Sequence, residues 1–275
     1  MNREAIMNKY VAFLDILGFK NKLKEFSQEN AKNYIKAFST TIYKIFQYNN
    51  QLNSRKINGF IVSDSVILYT SNVSNKILNE LIHIVEEICR EEFSQNGIIM
   101  RGAIAKGEFD NIPAVELPKL QKQLIVGSAY VEAYLLESAV KTIGINLSKV
   151  VYEDLINCDL SINIIEERID GEIYYVFQYM TLDFLMNKTN MQRFIALAKE
   201  SKWLPHYYNT VYFAMKSQNN NKKIKQVFIN IQNLVCDNKP KENWRDLDLF
   251  IKNTFAEGVI DEYKTRFLKY IRQKL

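Results

Sequence analysis

The chain has 275 residues, 47% apolar and 24% charged, with a formal net charge of +5, which leaves room for one large domain or a domain with an extension and excludes a disordered or fibrous chain. No apolar run approaches the ~18 residues of a membrane-crossing helix, and the polar N-terminus MNREAIMNK lacks the apolar centre of a secretory signal. A cytoplasmic protein with no membrane partner is the expectation, and the scattered Cys89, Cys158 and Cys236 with His83 and His206 form no zinc-binding spacing.

In chain order, Tyr10 to Leu17 reads as a first strand, six of the seven residues from Val11 to Leu17 being apolar and the seventh Asp15. Helical spacing follows within 18–50, notably in AKNYIKAFSTTIYKIF. The stretch NGFIVSDSVILYT has two β-rich runs around Ser63-Asp64-Ser65, a hairpin signature. Residues 76–93 carry a helical stripe of Ile77, Leu78, Leu81, Ile84, Val85 and Ile88, with His83 on or beside it as a packing or surface residue. IIMRGAIAKGEF (98–109) reads as a strand, 110–123 with its two prolines as a loop, 127–141 as a helix and NLSKVVYED as a short strand. A strand or hairpin around IDGEIYYVFQYM turns at Asp170-Gly171.

From about 181 the pattern is mainly helical, broken at 217–223 and again at 236–243. Residues 181–275 hold 17 Lys/Arg against 9 Asp/Glu, but these charges interleave with apolar positions at helical spacing. A solvated face is the simpler reading, and no nucleic-acid partner is expected. The order β-α-β-β-α-β implies an α/β sandwich: a mixed sheet with flanking helices over residues 1–180 and a helical C-terminal extension over 181–275.

Asp15 raises the chemical question, because a carboxylate buried in an apolar strand requires a partner. If strand 1 lies beside the hairpin, Asp15 and Asp64 come side by side. Two facing carboxylates share a cation, and Mg²⁺ or Mn²⁺ suits such oxygen ligands. Taken singly, Asp15 reads more readily as a helix cap and Asp64 as a turn former than as metal ligands; the pair in this topology favours the cation. Gly18 at the following helix start permits close approach of a phosphate to backbone amides.

FLDILGF resembles the FxDIxGF signature of class III nucleotidyl cyclases. VSDS resembles their Gly-Asp hairpin with Ser63 in place of Gly, MRGAIAKGE their Arg-x-Gly-Ile strand with Gly102 directly after Arg101, and GSAYVEAYLLES their helix, with Gly127, Ala133, Leu136 and Glu137 in place. The resemblance covers about residues 10–155 in four ordered blocks. In that alignment the helix's Asn falls at Val131, its transition-state Arg at Leu135, and the two purine-reading positions at Phe60 and Leu124. SDS, RGAI and AYxLES are most similar to the pyrimidine cyclases of the Pycsar antiphage system.

The resemblance implies conversion of UTP or CTP to a 3′,5′-cyclic monophosphate by a homodimer whose sites are shared between subunits, the product activating a separate effector protein. Two divalent ions, Mn²⁺ or Mg²⁺, would be held by Asp15 and Asp64 with the Ile16 carbonyl. Phe13, Leu17, Gly18 and Phe19 would border the phosphates, with Phe60 against the base. Arg101 is the candidate for stabilising developing charge, with a strand-end salt bridge as its structural alternative; Lys106 is a weaker candidate. Tyr130 and Tyr134 meet the base or ribose in this reading and pack as core in a purely structural one, while Glu137 is expected to be structural. The rivals are a cyclase-fold scaffold without catalysis, favoured by Val131 and Leu135, and an adenylyl or guanylyl cyclase, disfavoured by Phe60 and Leu124.

Overall fold

A computed structural model describes residues 7–52, 56–117, 120–158, 162–200 and 204–217. The described residues fall into two compact units, one drawn from 7–140, 145–158, 162 and 166–177 and the other from 141–144, 163–165 and 178–217.

The first unit is a mixed α/β structure. Its first strand is β1 (Asn8–Ile16), followed by α1 (Phe19–Glu25), α2 (Gln28–Leu52), β2 (Ile57–Val62), β3 (Ser65–Thr70), α3 (Asn75–Glu91), a π-helical turn (Glu92–Asn96) and β4 (Met100–Glu108). Next come β5 (Asp110–Leu117), β6 (Leu120–Val126), α4 (Ser128–Glu137), β7 (Ile145–Leu147), α5 (Lys149–Ile156), β8 (Ile164–Ile169) and β9 (Glu172–Phe177). Seven strands form one sheet in the order β2-β3-β1-β4-β7-β9-β8. β1 is an interior strand antiparallel to both β3 and β4, while β7 joins β4 in parallel.

Strand alternation divides β1 between two faces. Tyr10, Ala12, Leu14 and Ile16 are buried on one, and Lys9, Val11, Phe13 and Asp15 stand on the other. On this second face Val11, Phe13, Ile67, Ala103, Ala105 and Phe109 form a core with Ala129 and Ala133 of α4. Small residues on both sides let α4 lie close to the sheet, which fixes what its last turn can reach. Ser74 caps α3 by accepting the Ile77 N–H at 3.4 Å, and all six residues of the expected α3 stripe are buried.

Two expectations fail. The stretch expected as a loop is the β5–β6 hairpin, a separate two-stranded sheet in which Pro113 pairs with Gln123 and the register shifts between Val115 and Leu117. Proline is tolerated in such an edge strand. The residues Lys149–Asp154, expected to continue a strand, belong to α5: Ser148 accepts the Val151 N–H at 3.4 Å, and Val151 and Leu155 bury one helical stripe. Their β-branched composition is overridden by a cap and a four-residue apolar spacing. The hairpin turn at Asp170-Gly171 forms as expected, with positive φ at both residues.

The second unit contains α6 (Leu182–Met186), α7 (Lys188–Glu200) and α8 (Leu204–Lys216). Thr181 caps α6, and Thr210 of α8 accepts the Ile143 N–H at 2.9 Å. Asn209 donates to the Lys141 carbonyl at 2.7 Å, and Phe194 meets Tyr207 edge-on at 5.1 Å. Of the expected break at 217–223 only Ser217 is described; the expected loop at 236–243 lies outside the described residues.

Candidate active site

Register brings the polar residues together. Asp15 pairs with Ser65 on one side and with Arg101 on the other, so three polar side chains cross the sheet in line on the α4 face. Asp64 occupies the β2–β3 turn beside them, half-buried, and its carbonyl accepts the Ile16 N–H at 3.2 Å. Ser63, which precedes it, has φ 58°. The sequence thus places both aspartates at one end of adjacent strands, as expected.

Asp15 is only partly exposed, and its Oδ1 accepts the Ser65 hydroxyl at 3.2 Å. Burial raises its carboxyl above the ordinary range, and the neighbouring Asp64 charge adds to this. Arg101, the Ser65 hydroxyl and the Ile16 N–H pull it back down. Arg101 Nη2 stands 3.8 Å from Asp15 Oδ2, whereas its Nε is in direct contact with Glu137 Oε1 at the end of α4. Burial pushes Glu137 up to about 7 from 4.5; Arg101 opposes that shift and the Asp15 charge reinforces it. Ser65 and Glu137 were not legible as site residues, since one depends on strand register and the other on where α4 ends.

The aromatic candidates share this face. The Phe13 ring is buried and meets Tyr130 edge-on at 6.1 Å and Tyr134 at 5.3 Å. The two tyrosines lie 6.3 Å apart and nearly parallel, and Tyr134 keeps 55% of its surface. Phe60 is half-buried against Tyr69, with ring centroids at 6.4 Å. Leu17 and Phe19 have buried side chains, and Phe19 stacks on Tyr34 at 6.4 Å. At that corner the chain therefore offers backbone, turned by Gly18 at φ 79°.

Lys106 is placed elsewhere. It pairs with Tyr10 on the opposite face of the sheet, with its Nζ 2.7 Å from Asp154 and 5.4 Å above the Tyr10 ring. Val131, Leu135 and Leu124 are exposed, and His83 is on the surface. A cavity of ≈ 910 Å³ lies between α2 and the β2–β3 hairpin, lined by groups such as Ile42, Phe46, Val66 and Leu68. It contains no carboxylate, so the chemistry points to the Asp15 end of the sheet.

Among the described residues no cluster of three or more His, Cys, Asp or Glu side chains could hold a metal. The donors at Asp15 and Asp64 are oxygen only, and two mutually repelling carboxylates fit a hard divalent cation completed by substrate phosphates and water.

No family profile matches the sequence, and no curated protein does. Among solved structures the chain is similar to the adenylyl cyclase CyaB from P. aeruginosa, at 17% identity over 62% of this chain and 93% of that one, TM-score 0.47. It is similar to the guanylyl cyclase Cya2 at 12% identity over 62% and 91%, TM-score 0.48. A bacterial light-regulated adenylyl cyclase aligns at 11% identity over 68% of this chain and 98% of that one, TM-score 0.47.

Proposed function

We propose that the chain is a pyrimidine nucleotide cyclase, converting UTP or CTP to cUMP or cCMP and pyrophosphate in the cytoplasm as a signal for a separate effector in antiphage defence. The observation that carries the reading is the Asp15–Asp64 pair beside Arg101, at one end of an aromatic-lined sheet face. The four-block resemblance supplies the reaction class. Apolar Phe60 and Leu124 at the purine-reading positions favour a smaller base.

In this mechanism Asp15 and Asp64, with the Ile16 carbonyl, would hold two Mg²⁺ or Mn²⁺ ions, which would supply Lewis acidity toward the ribose 3′-hydroxyl and the leaving pyrophosphate. The 3′-hydroxyl releases its proton to solvent as its oxygen forms a bond to the α-phosphorus, and the bond from that phosphorus to the pyrophosphate oxygen breaks, the pyrophosphate leaving with the bonding pair. Arg101 lies beside the reacting groups and donates to phosphate oxygens as charge develops. The Gly18 turn lets backbone approach the phosphates, bordered by Phe13, Leu17 and Phe19. Tyr130 and Tyr134, braced on Phe13, bound the base and ribose side with Phe60. The active form is a homodimer joined through the exposed apolar surface of α4.

The test is product analysis by mass spectrometry with Mn²⁺ and each ribonucleoside triphosphate separately, alongside Asp64→Ala. A cyclic product from UTP or CTP alone, abolished in the variant, is expected. Product from ATP or GTP would replace the pyrimidine assignment with a purine cyclase; no product from any of the four would leave a scaffold with a cyclase-like fold.

A further inference from the structure

We propose that Glu137 is a positioning residue that holds Arg101 off Asp15 and so keeps the Asp15 carboxylate available to a divalent cation; this rests on the metal reading above. One guanidinium faces two acids. Arg101 Nε contacts Glu137 Oε1 directly, while its Nη2 stops 3.8 Å from Asp15 Oδ2, beyond hydrogen-bonding length. The backbone does not impose that choice, because Arg101 and Asp15 are direct cross-strand partners on the same face. An arginine so placed can close on the aspartate as a two-pronged clamp, which would occupy the oxygens a metal requires.

Glu137 is built to prevent this. Its side chain is buried, and it sits at the end of α4, whose path is fixed by Ala129 and Ala133 against Ala103 and Ala105. The helix end is tied down independently: Asn146 donates its side-chain amide to the Leu136 carbonyl at 2.9 Å and to the Glu137 carbonyl at 3.1 Å. A buried carboxylate held in this way claims the nearest cation. Without its charge, Arg101 is left facing Asp15 and competes with the metal for it.

At pH 8, where Glu137 is ionised, the experiment follows Mn²⁺ binding to the full chain by electron paramagnetic resonance of the free ion, without nucleotide, for wild type, Glu137→Gln, and Glu137→Gln combined with Arg101→Met. The single variant is expected to bind Mn²⁺ about tenfold or more weakly, the scale on which supporting partners of metal ligands act. The double variant is expected to recover wild-type affinity or exceed it, because the competing cation is gone. Unchanged affinity in Glu137→Gln overturns the inference. So does equal loss in single and double variants, which would make Glu137 a packing residue only. Absence of Mn²⁺ binding in wild type, unaltered by Asp15→Asn, instead removes the metal reading on which the inference stands.

Discussion

Glu92 is fully buried in the π-helical turn, with one carboxyl oxygen accepting from Asn96 at 2.9 Å while that same amide reaches Thr41 at 3.0 Å. Burial raises its carboxyl from 4.5 to about 7, against the Asn96 hydrogen bond. A raised carboxyl binds its proton more tightly folded than unfolded, so its stabilising effect is full below the unfolded value and is lost as pH rises from 4.5 towards 7. The loss is about 3 kcal/mol by pH 8 at ~1.4 kcal/mol per unit. Glu92→Gln removes this dependence: in urea titrations it should match wild type near pH 4.5 and exceed it increasingly towards pH 8. Parallel curves would show that Glu92 is not held neutral. Ser63 presents a backbone problem instead, since φ 58° is disfavoured for any side chain. Ser63→Gly should raise stability by about 1 kcal/mol, and a fall would mean that the serine side chain contributes more than the strain costs. Asp15 and Asp64 were legible because charge interrupts an apolar strand and a hairpin. The way Arg101 divides between two acids was not, since no local pattern states which cross-strand and helix neighbours converge.

At the scale of elements, legibility followed periodicity. α3 and the β2–β3 hairpin carry strong helical and turn signals, and both formed where expected. The β5–β6 hairpin and α5 were misread because local composition, prolines in one and β-branched residues in the other, opposed an outcome decided by pairing and capping. The junction of β1 with β4 carries a stricter condition. A Cβ on Gly102 would overlap the Phe13 carbonyl oxygen and lie 2.7 Å from Leu14 Cδ2. Gly102 is also the register partner of Leu14, adjacent to the Asp15–Arg101 pair. Gly102→Ala must therefore move backbone in the central strand pair, and overpacking of this kind costs about 2–3 kcal/mol. Chemical denaturation should show a lower midpoint; an unchanged midpoint would mean that β1 and β4 can separate without loss. The expected boundary between 1–180 and a C-terminal extension remains a proposal about organisation.

For the whole molecule, the question is what covers α4. Its inner side packs on the sheet through Ala129 and Ala133, whereas Val131 is 53% exposed and Leu135 65%. Val126 and Leu124, at the end of β6, are also exposed apolar residues. Val131 and Leu135 lie one turn apart on α4, an exposed apolar pair that suits an interaction surface. In the proposed homodimer this surface meets its copy, which gives Val131 and Leu135 a packing role where the resemblance would put polar groups. Leu135→Glu tests this without disturbing the fold, because substitution of a largely exposed residue changes stability by only about 0.5 kcal/mol. Two buried-on-association glutamates facing an apolar partner would be costly, so the variant should sediment as a monomer with wild-type far-ultraviolet circular dichroism, its thermal midpoint lowered only by the lost contribution of the dimer. The proposed cyclase activity should fall with the dimer, although Asp15, Asp64 and Arg101 are intact in each subunit. A variant that stays dimeric and fully active would exclude α4 as the joining surface, whereas a monomer that retains full activity would show that each chain carries a complete site.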